Sequence, residues 1–337
     1  MNQIIILSFL FGITVATRIP AESLQVEDLT QVTWAHGVNS IYSMTEALES
    51  NIDFLEADIS LGQLNGTGPE IPIMAHPPVT DSDLSLAGFL DMYFEANSSK
   101  GMKLDFKDIS VLEDSLLEIK SRDWINGVEL WLNADILPGP NNNYSEPVSA
   151  EEFLSRTSFY FPEATLSVGW KTDFGRPADS FSWSCCPADS VLLTHSPRSF
   201  LSLFISIFLL IICYGKFFIC LLACGDTCYG FGVFQDIRDG DYSFENIEEM
   251  IDVLRHCNIT QPVTFPVRAG IAASPISQKT LPYLLSQIPG STLTFWSASQ
   301  DCVDYYGVAS LINSIGRSKS YIDVPANQRD KIFRYLS

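Results

Sequence analysis

The sequence predicts an α/β fold, a (β/α)8 barrel, from three observations. Short runs rich in β-branched and aromatic residues alternate with amphipathic, helix-like stretches along most of the chain. This alternation is typical of a parallel sheet, and eight repeats of the unit are typical of a closed barrel. The length of 337 residues suits one barrel of about 250 residues with an extension.

The strand-like runs fill eight positions in order. The runs 54–60 and 71–76 are treated as partners in one split position, the second. The predicted strands are 31–37, 54–60 with 71–76, 102–107, 128–134, 165–171, 262–268, 292–297 and 321–324. Helices are predicted at 43–50, after a Ser/Thr cap signal, and at 110–120 and 244–255, where apolar residues recur every three or four positions.

The amino terminus resembles a secretory signal peptide, predicted at 1–17. Its apolar run from Ile4 to Ala16 is long enough for a signal sequence and short for a membrane span, although no Lys or Arg precedes it. A buried first strand is the alternative. Four glycosylation sequons, at Asn65, Asn97, Asn143 and Asn258, favour the secretory interpretation. We therefore expect an extracellular glycoprotein.

The barrel domain is predicted at 28–327, with a cysteine-rich hydrophobic insertion at 174–240 between its fifth and sixth strands. Six of the eight cysteines lie between Cys185 and Cys228, and the stretch contains a strongly apolar segment, 199–224. Three interpretations stay open: a surface insertion that buries its apolar face or anchors to a membrane through 199–224, a true membrane span, and sequence foreign to the fold, such as translated non-coding sequence. We favour the third, and a transcript that reads continuously through the segment would exclude it.

The net charge of −20 argues against nucleic acid as a partner. The chain has 20 basic and 40 acidic side chains, whereas a nucleic-acid binder needs a positive surface for phosphates. The excess acid is spread along the sequence, and it favours solubility.

Charged residues follow a pattern at the ends of the first predicted strands. His36 ends the first run and is followed by glycine, so its ring is expected at the carboxyl end of the strand, where barrels carry their active sites. Glu56 and Asp58 are two residues apart on one strand and point to the same side. Paired buried carboxylates are unfavourable unless they are hydrogen-bonded or bind a cation, and all-oxygen ligands suit Mg²⁺ or Ca²⁺.

The next two runs add a second histidine and an acid–lysine pair. His76 ends the run 71–76, and two histidines at neighbouring strand ends can act as acid and base. Asp105 can complete the metal ligands, and Lys107 can stabilise negative charge on a phosphate. Lys103 is in phase with both, so a surface ladder of ion pairs is the alternative interpretation of this strand.

The arrangement resembles the glycerophosphodiester phosphodiesterase superfamily, including its sphingomyelinase-D-like phospholipases. The resemblance implies a barrel of the phospholipase-C-like phosphodiesterase type, with the three acids binding Mg²⁺ and the two histidines as the acid/base pair. Closer still is the menorin family of secreted or membrane-tethered animal proteins. Its landmarks are matched by WAHGVNS (34–40), LEADI (55–59), KLDFK (103–107), LSVGWKT (166–172), QPVTFPVRA (261–269) and TLTFW (292–296).

We therefore expect a metal-dependent phosphodiesterase that acts on glycerophosphodiesters or lysophospholipids. Asn39, Lys103, Trp170, Arg268 and Trp296 are predicted to line its pocket, although the aromatic residues fit the barrel core equally well. The alternative, implied by the menorin resemblance, is an inactive extracellular module that binds extracellular or cell-surface proteins during development. A carbohydrate hydrolase would use paired carboxylates, but it gives the histidines and the lysine no role.

Overall fold

The computed structural model describes residues 28–140, 146–172 and 240–337. The strands are β1 (Trp34–Ala35), β2 (Phe54–Leu64), β3 (Thr67–Met74), β4 (Asp81–Ser82), β5 (Gly101–Phe106), β6 (Leu130–Pro138), β7 (Thr165–Lys171), β8 (Val263–Arg268), β9 (Thr292–Trp296) and β10 (Ser320–Asp323). The α-helices are α1 (Ile41–Glu49), α2 (Leu86–Glu95), α3 (Leu112–Lys120), α4 (Ala150–Tyr160), α5 (Phe244–His256), α6 (Ala269–Ala272), α7 (Ser277–Gln287), α8 (Tyr305–Ile315) and α9 (Ala326–Phe333).

Eight parallel strands form a nearly closed barrel, which confirms the predicted fold class. They are hydrogen-bonded in the order β1-β2-β5-β6-β7-β8-β9-β10. Side chains connect the first and last strands: the rings of Trp34 and Tyr321 lie 6.0 Å apart. The amphipathic helices cover the outside of the sheet, as the alternating sequence pattern requires.

The second barrel position is filled by β2 alone. The run predicted to share it forms β3, which pairs antiparallel with β2 and lies off the barrel path. The two strands form a hairpin whose turn is Asn65-Gly66, both with positive φ, as a type I′ turn demands. The predicted strands at 31–37 and 128–134 are also corrected, since the structure has β1 at Trp34–Ala35 and β6 at Leu130–Pro138.

The helix α1 begins two residues before its predicted start. Ser40 is its N-cap, and the side chain of Ser40 accepts a hydrogen bond from the Ser43 amide while the Ser43 hydroxyl accepts one from the Ser40 amide. Ser43, predicted as the start, is thus the third residue of the helix. The same reciprocal bonding between Ser243 and Asn246 starts α5 at its predicted position.

Aromatic side chains fill the amino-terminal end of the barrel. Trp34, Phe54 and Trp131 pack with ring centroids 4.6 to 5.3 Å apart, and Tyr321 lies against Trp131 at 4.8 Å. Gly101 leaves the space for the Phe54 ring, because a Cβ on Gly101 would overlap ring carbons of Phe54. In the part of the chain that the structure describes, aromatic rings thus pack at one end of the barrel, and the charged side chains at the carboxyl ends of the strands lie at the other.

Two predicted regions lie outside the described residues. They are the signal peptide at 1–17 and the insertion at 174–240 apart from its last residue, including 199–224. Among residues 28–140, 146–172 and 240–337, no helix is both long and apolar enough to cross a bilayer.

Candidate active site

Three carboxylates converge inside the barrel mouth. Glu56 and Asp58 lie two apart on β2, and strand pairing sets Asp58 directly beside Asp105 of β5. One carboxylate oxygen from each of the three lies within 4.8 Å of the others. The sequence pattern therefore identified a real cluster, and its size fits a single cation bound by oxygen ligands.

The loop after β1 holds two of these acids. The amide of Gly37 donates to Glu56 Oε2 at 2.8 Å. Asn39 makes two bonds to Asp58: its Nδ2 donates to Asp58 Oδ2 at 2.6 Å, and its Oδ1 accepts from the Asp58 amide at 2.9 Å. Asn39, predicted as a pocket residue, thus fixes the orientation of the Asp58 carboxylate. The conformation of the loop depends on Gly37, whose φ is +69°.

Lys107 joins the cluster from the end of β5. Its Nζ lies 2.8 Å from Asp58 Oδ1 and forms a short ion pair with Asp105 Oδ2. Burial disfavours the charged lysine, but the two aspartates outweigh it and hold its pKa well above the ordinary value. Burial alone would raise the pKa of Asp58, but Lys107 and the hydrogen bond from Asn39 have the larger effect. The pKa of Asp58 is therefore lowered, and the acid stays ionised. The pKa of Glu56 is raised, chiefly by burial.

His36 lies directly after β1, between two carboxylates. Its Nδ1 is 3.5 Å from Glu56 Oε2 and 3.3 Å from both oxygens of Asp323. Glu56 is the main reason that the pKa of His36 is raised to about 10, and Asp323 adds to the effect. The side chain is nevertheless 53% exposed, so the ring is both ion-paired and accessible from the mouth.

Asp323 is a site residue that sequence reasoning missed. It ends β10, is 2% exposed, and also accepts from Lys103 Nζ at 3.5 Å. The available signal was its position: it is an acid near the end of the run 321–324, the last predicted strand. Lys103 is buried, with its ammonium 5.7 Å from the Trp34 ring centroid, so the surface-ladder interpretation of this strand is wrong.

His76 lies two residues beyond β3, at the edge of the mouth. The amide of the preceding residue, Ala75, donates to the Asp58 carbonyl at 3.0 Å. His76 Nδ1 lies 2.7 Å from the carbonyl oxygen of Pro77. Because a carbonyl oxygen only accepts, Nδ1 carries the proton, and the neutral ring presents an unprotonated Nε2.

Asp135 is a second missed acid, on the inner face of β6. Burial raises its pKa to about 6, and the negative charge of Asp105 acts in the same direction. A Cβ on Gly169 would lie 3.1 Å from Asp135 Oδ1 and 2.8 Å from Pro266 Cγ, so the neighbouring strand leaves room for this carboxylate. The signal was again two-residue spacing, since Asn133 and Asp135 share one face.

The remaining predicted pocket residues lie on β7, β8 and β9. Arg268 binds Asp301 through two hydrogen bonds of 2.8 and 2.9 Å and lies 4.9 Å from the Trp296 ring centroid. Trp170 is 1% exposed, and its ring packs 5.1 Å from that of Tyr242. For Trp170 the core alternative is the observed one, and the pocket interpretation is wrong.

Comparison with known proteins then connects this site to a family. The chain matches the Menorin N-terminal domain family over residues 28–193 and 213–329. It belongs to the menorin family. The match includes all three acids, both histidines and Lys107 of the site. It also extends into both ends of the predicted insertion at 174–240, whose boundaries remain a prediction.

A human menorin relative is similar over most of its length. The chain is 29% identical to human "Protein FAM151B" over 311 residues, which is 91% of this chain and 88% of that protein. The family resemblance predicted from the sequence landmarks is therefore confirmed.

Proposed function

We propose that this menorin-family protein is a metal-dependent phosphodiesterase that cleaves glycerophosphodiesters or lysophospholipids. The supporting observation is the cluster of Glu56, Asp58 and Asp105 at the mouth, with His36 in contact with it. Binding of a phosphodiester needs positive charge, and proton transfer needs a base and an acid. The described mouth offers groups for each of these tasks.

The three acids fit a divalent cation such as Mg²⁺ or Ca²⁺. Their oxygens are close enough to share one ion, and Asn39 already fixes one of the carboxylates. The Lys107 ammonium contacts Asp58 and Asp105 together, so these two acids already bind one cationic group. A bound divalent cation would polarise a phosphate oxygen. Lys107, released from part of its ion pairing, would then stabilise negative charge on the phosphate.

The histidines divide the proton transfers. His76 presents an unprotonated Nε2 when neutral, because Nδ1 donates to Pro77. It is therefore placed to take the proton from the attacking hydroxyl, whether that of water or of the substrate itself. His36, held by Glu56 and Asp323, is placed to protonate the departing oxygen. Attack by a substrate hydroxyl would give a cyclic phosphate.

We also propose that the protein acts outside the cell. Its apolar leader at 1–17 and its four sequons support this location. Anchoring through 199–224 is the alternative, and extracellular or cell-surface proteins would be further partners.

The test is turnover by the purified full chain, with and without Mg²⁺ or Ca²⁺. Glycerophosphodiesters and lysophospholipids are the substrates, and phosphate-containing products are followed by ³¹P NMR. His36→Ala and His76→Ala are each expected to lower kcat by roughly 10²- to 10⁴-fold, the range of general acid–base catalysis.

A matched control is His256→Ala. His256 is 74% exposed, and its Nε2 lies 3.7 Å from Glu151, at the far end of α5. This variant is expected to keep full activity. If the wild-type protein binds metal but cleaves none of the glycerophosphodiesters and lysophospholipids tested, the proposed enzymatic function is refuted. A signalling function that survives alanine at both site histidines would instead support the binding module.

A further inference from the structure

In the described part of the chain, every residue with positive φ other than glycine is an asparagine. These residues are Asn65, Asn97 and Asn258, with φ of 53°, 46° and 52°. Each is also the first residue of an Asn-X-Ser/Thr sequon. All three asparagines are exposed, and so are the hydroxyl residues two positions later, Thr67, Ser99 and Thr260.

Backbone geometry explains the choice of asparagine at two of these positions. After α2, the Asn97 amide donates to the Phe94 carbonyl at 2.9 Å, and the next amide donates to Tyr93 at 3.3 Å. After α5, the Asn258 amide donates to Arg255, and the amide of Ile259 donates to Leu254, each at 3.1 Å. Both are Schellman motifs, whose first residue past the cap is left-handed and favours glycine or asparagine. Asn65 is left-handed because of its hairpin turn.

The turns do not explain the hydroxyls. Within the residues that the structure describes, the hydroxyls of Thr67, Ser99 and Thr260 form no hydrogen bond, and neither the Schellman motif nor the type I′ turn requires them. The hydroxyl group of each sequon therefore has no hydrogen-bonding role in the described fold.

We propose that Asn65, Asn97 and Asn258 are sites of N-linked glycosylation. In this reaction the Asn Nδ2 forms a bond to C1 of the first sugar, and the C1–oxygen bond to a lipid pyrophosphate donor breaks. The amide loses one proton, and the lipid pyrophosphate leaves with the electron pair. The inference rests on the proposed extracellular location, since the transferase works in the secretory pathway.

Two of the three positions lie at the end of the barrel opposite the mouth. Asn97 and Asn258 follow the carboxyl ends of helices, which in this barrel lie at the end opposite the active site. Asn65 is at a hairpin tip, seven residues beyond Asp58 along β2, or roughly 23 Å at the usual rise of a strand. Glycans at Asn97 and Asn258 would therefore leave the carboxylate cluster open to a substrate.

The proposal is tested by secreting the full chain from animal cells. The glycans are released with an amidase, and their sites are mapped by mass spectrometry. Thr67→Ala, Ser99→Ala and Thr260→Ala are each expected to lose one glycan with no change in Tm, because the turn asparagine stays. Asn97→Gly is the matched variant, which loses the glycan but keeps the turn. Asn97→Gln is expected to lose the glycan and also lower Tm, because glutamine lacks the preference for positive φ.

A second form, with residues 1–17 replaced by a strong cleavable leader, separates the two proposals. Glycans at all three asparagines in this form support the inference even where the native leader fails to export the chain, a result that would refute only the location. Exported protein with the three asparagines unmodified would overturn the inference.

Discussion

The Asp323 carboxylate lies 3.3 Å from His36 Nδ1, which joins the last strand of the barrel to the loop after the first. The same carboxylate accepts from Lys103, so it is held from inside the barrel as well. Asp323 therefore orients the imidazole in a way that Glu56 alone cannot. A site built from β1, β2 and β5 is completed by a residue distant in sequence.

Replacing Asp323 by asparagine should impair catalysis more than folding. The amide has nearly the same shape but removes the negative charge beside His36, so the ring loses part of its orientation and its positive charge is less stable. We expect kcat/KM to fall roughly ten- to hundredfold, the usual effect of losing a supporting group. Steady-state kinetics measure the loss, and circular dichroism checks the fold. Unchanged kcat/KM would show that Asp323 does not position the histidine.

The charge of His36 should be measurable in metal-free protein. Its pKa is raised from 6.5 to about 10, first by Glu56 and then by Asp323. Because the folded-state pKa is raised, this stabilisation is fully present below pH 6.5 and is lost as the pH rises through about 10. NMR titration of the His36 ring in chelator should show this shift, and Glu56→Gln should lower the pKa. A wild-type ring that titrates near 6.5 would contradict the geometry.

Lys107 should compete with a metal for the same carboxylates. Lys107→Met removes an ammonium that contacts Asp58 and Asp105. We expect Mg²⁺ to bind about fivefold more tightly or better, from the roughly 1 kcal/mol that two charges about 4 Å apart exert in water. Turnover should nevertheless be lost, because the phosphate of the substrate loses its contact with the Lys107 ammonium. Calorimetry and kinetics measure the two effects, with the exposed Lys319→Met as control. Weaker metal binding would assign Lys107 a different role.

Gly101 should be needed for the aromatic packing at the closed end. Gly101→Ala places a Cβ against the Phe54 ring, and overpacking of this kind costs about 1–3 kcal/mol of unfolding free energy. Phe54→Leu should recover part of the loss in the double variant, a coupling that a denaturant-based mutant cycle measures. The control is Gly88→Ala in α2, whose Cβ would meet ordinary contacts of 3.4 Å. Additive effects of the two changes would contradict the packing explanation.

Local pattern was sufficient to predict the three acids of the cluster, Glu56, Asp58 and Asp105. Alternation along a strand is set by backbone geometry, so the two-residue spacing of Glu56 and Asp58 placed both on one face before any tertiary contact was known. The same rule separates Trp170 from the pocket, because it alternates with Ser167 and Gly169 and shares the outer face of β7 with Leu166 and Val168.

Sequence could not identify contacts that depend on barrel closure. His36 and Asp323 are 287 residues apart, and their meeting depends on how the last strand returns beside the first. Lys103 is a similar case. The alternation along its strand predicted that it shares a face with Asp105 and Lys107, but only the packed barrel shows that it is buried beside Asp323. The start of α1 was misplaced by two residues, since Ser40 and Ser43 both offer capping hydroxyls in the sequence.

Metal binding by the full-length chain is the most direct test of the central claim. Mg²⁺ and Ca²⁺ are titrated calorimetrically into chelator-treated protein, alongside Asp58→Asn and, as control, the exposed Asp114→Asn. We expect one cation per chain, lost in Asp58→Asn and unchanged in Asp114→Asn. Absence of saturable binding, or equal binding by wild type and Asp58→Asn, would contradict a metal site at Glu56, Asp58 and Asp105.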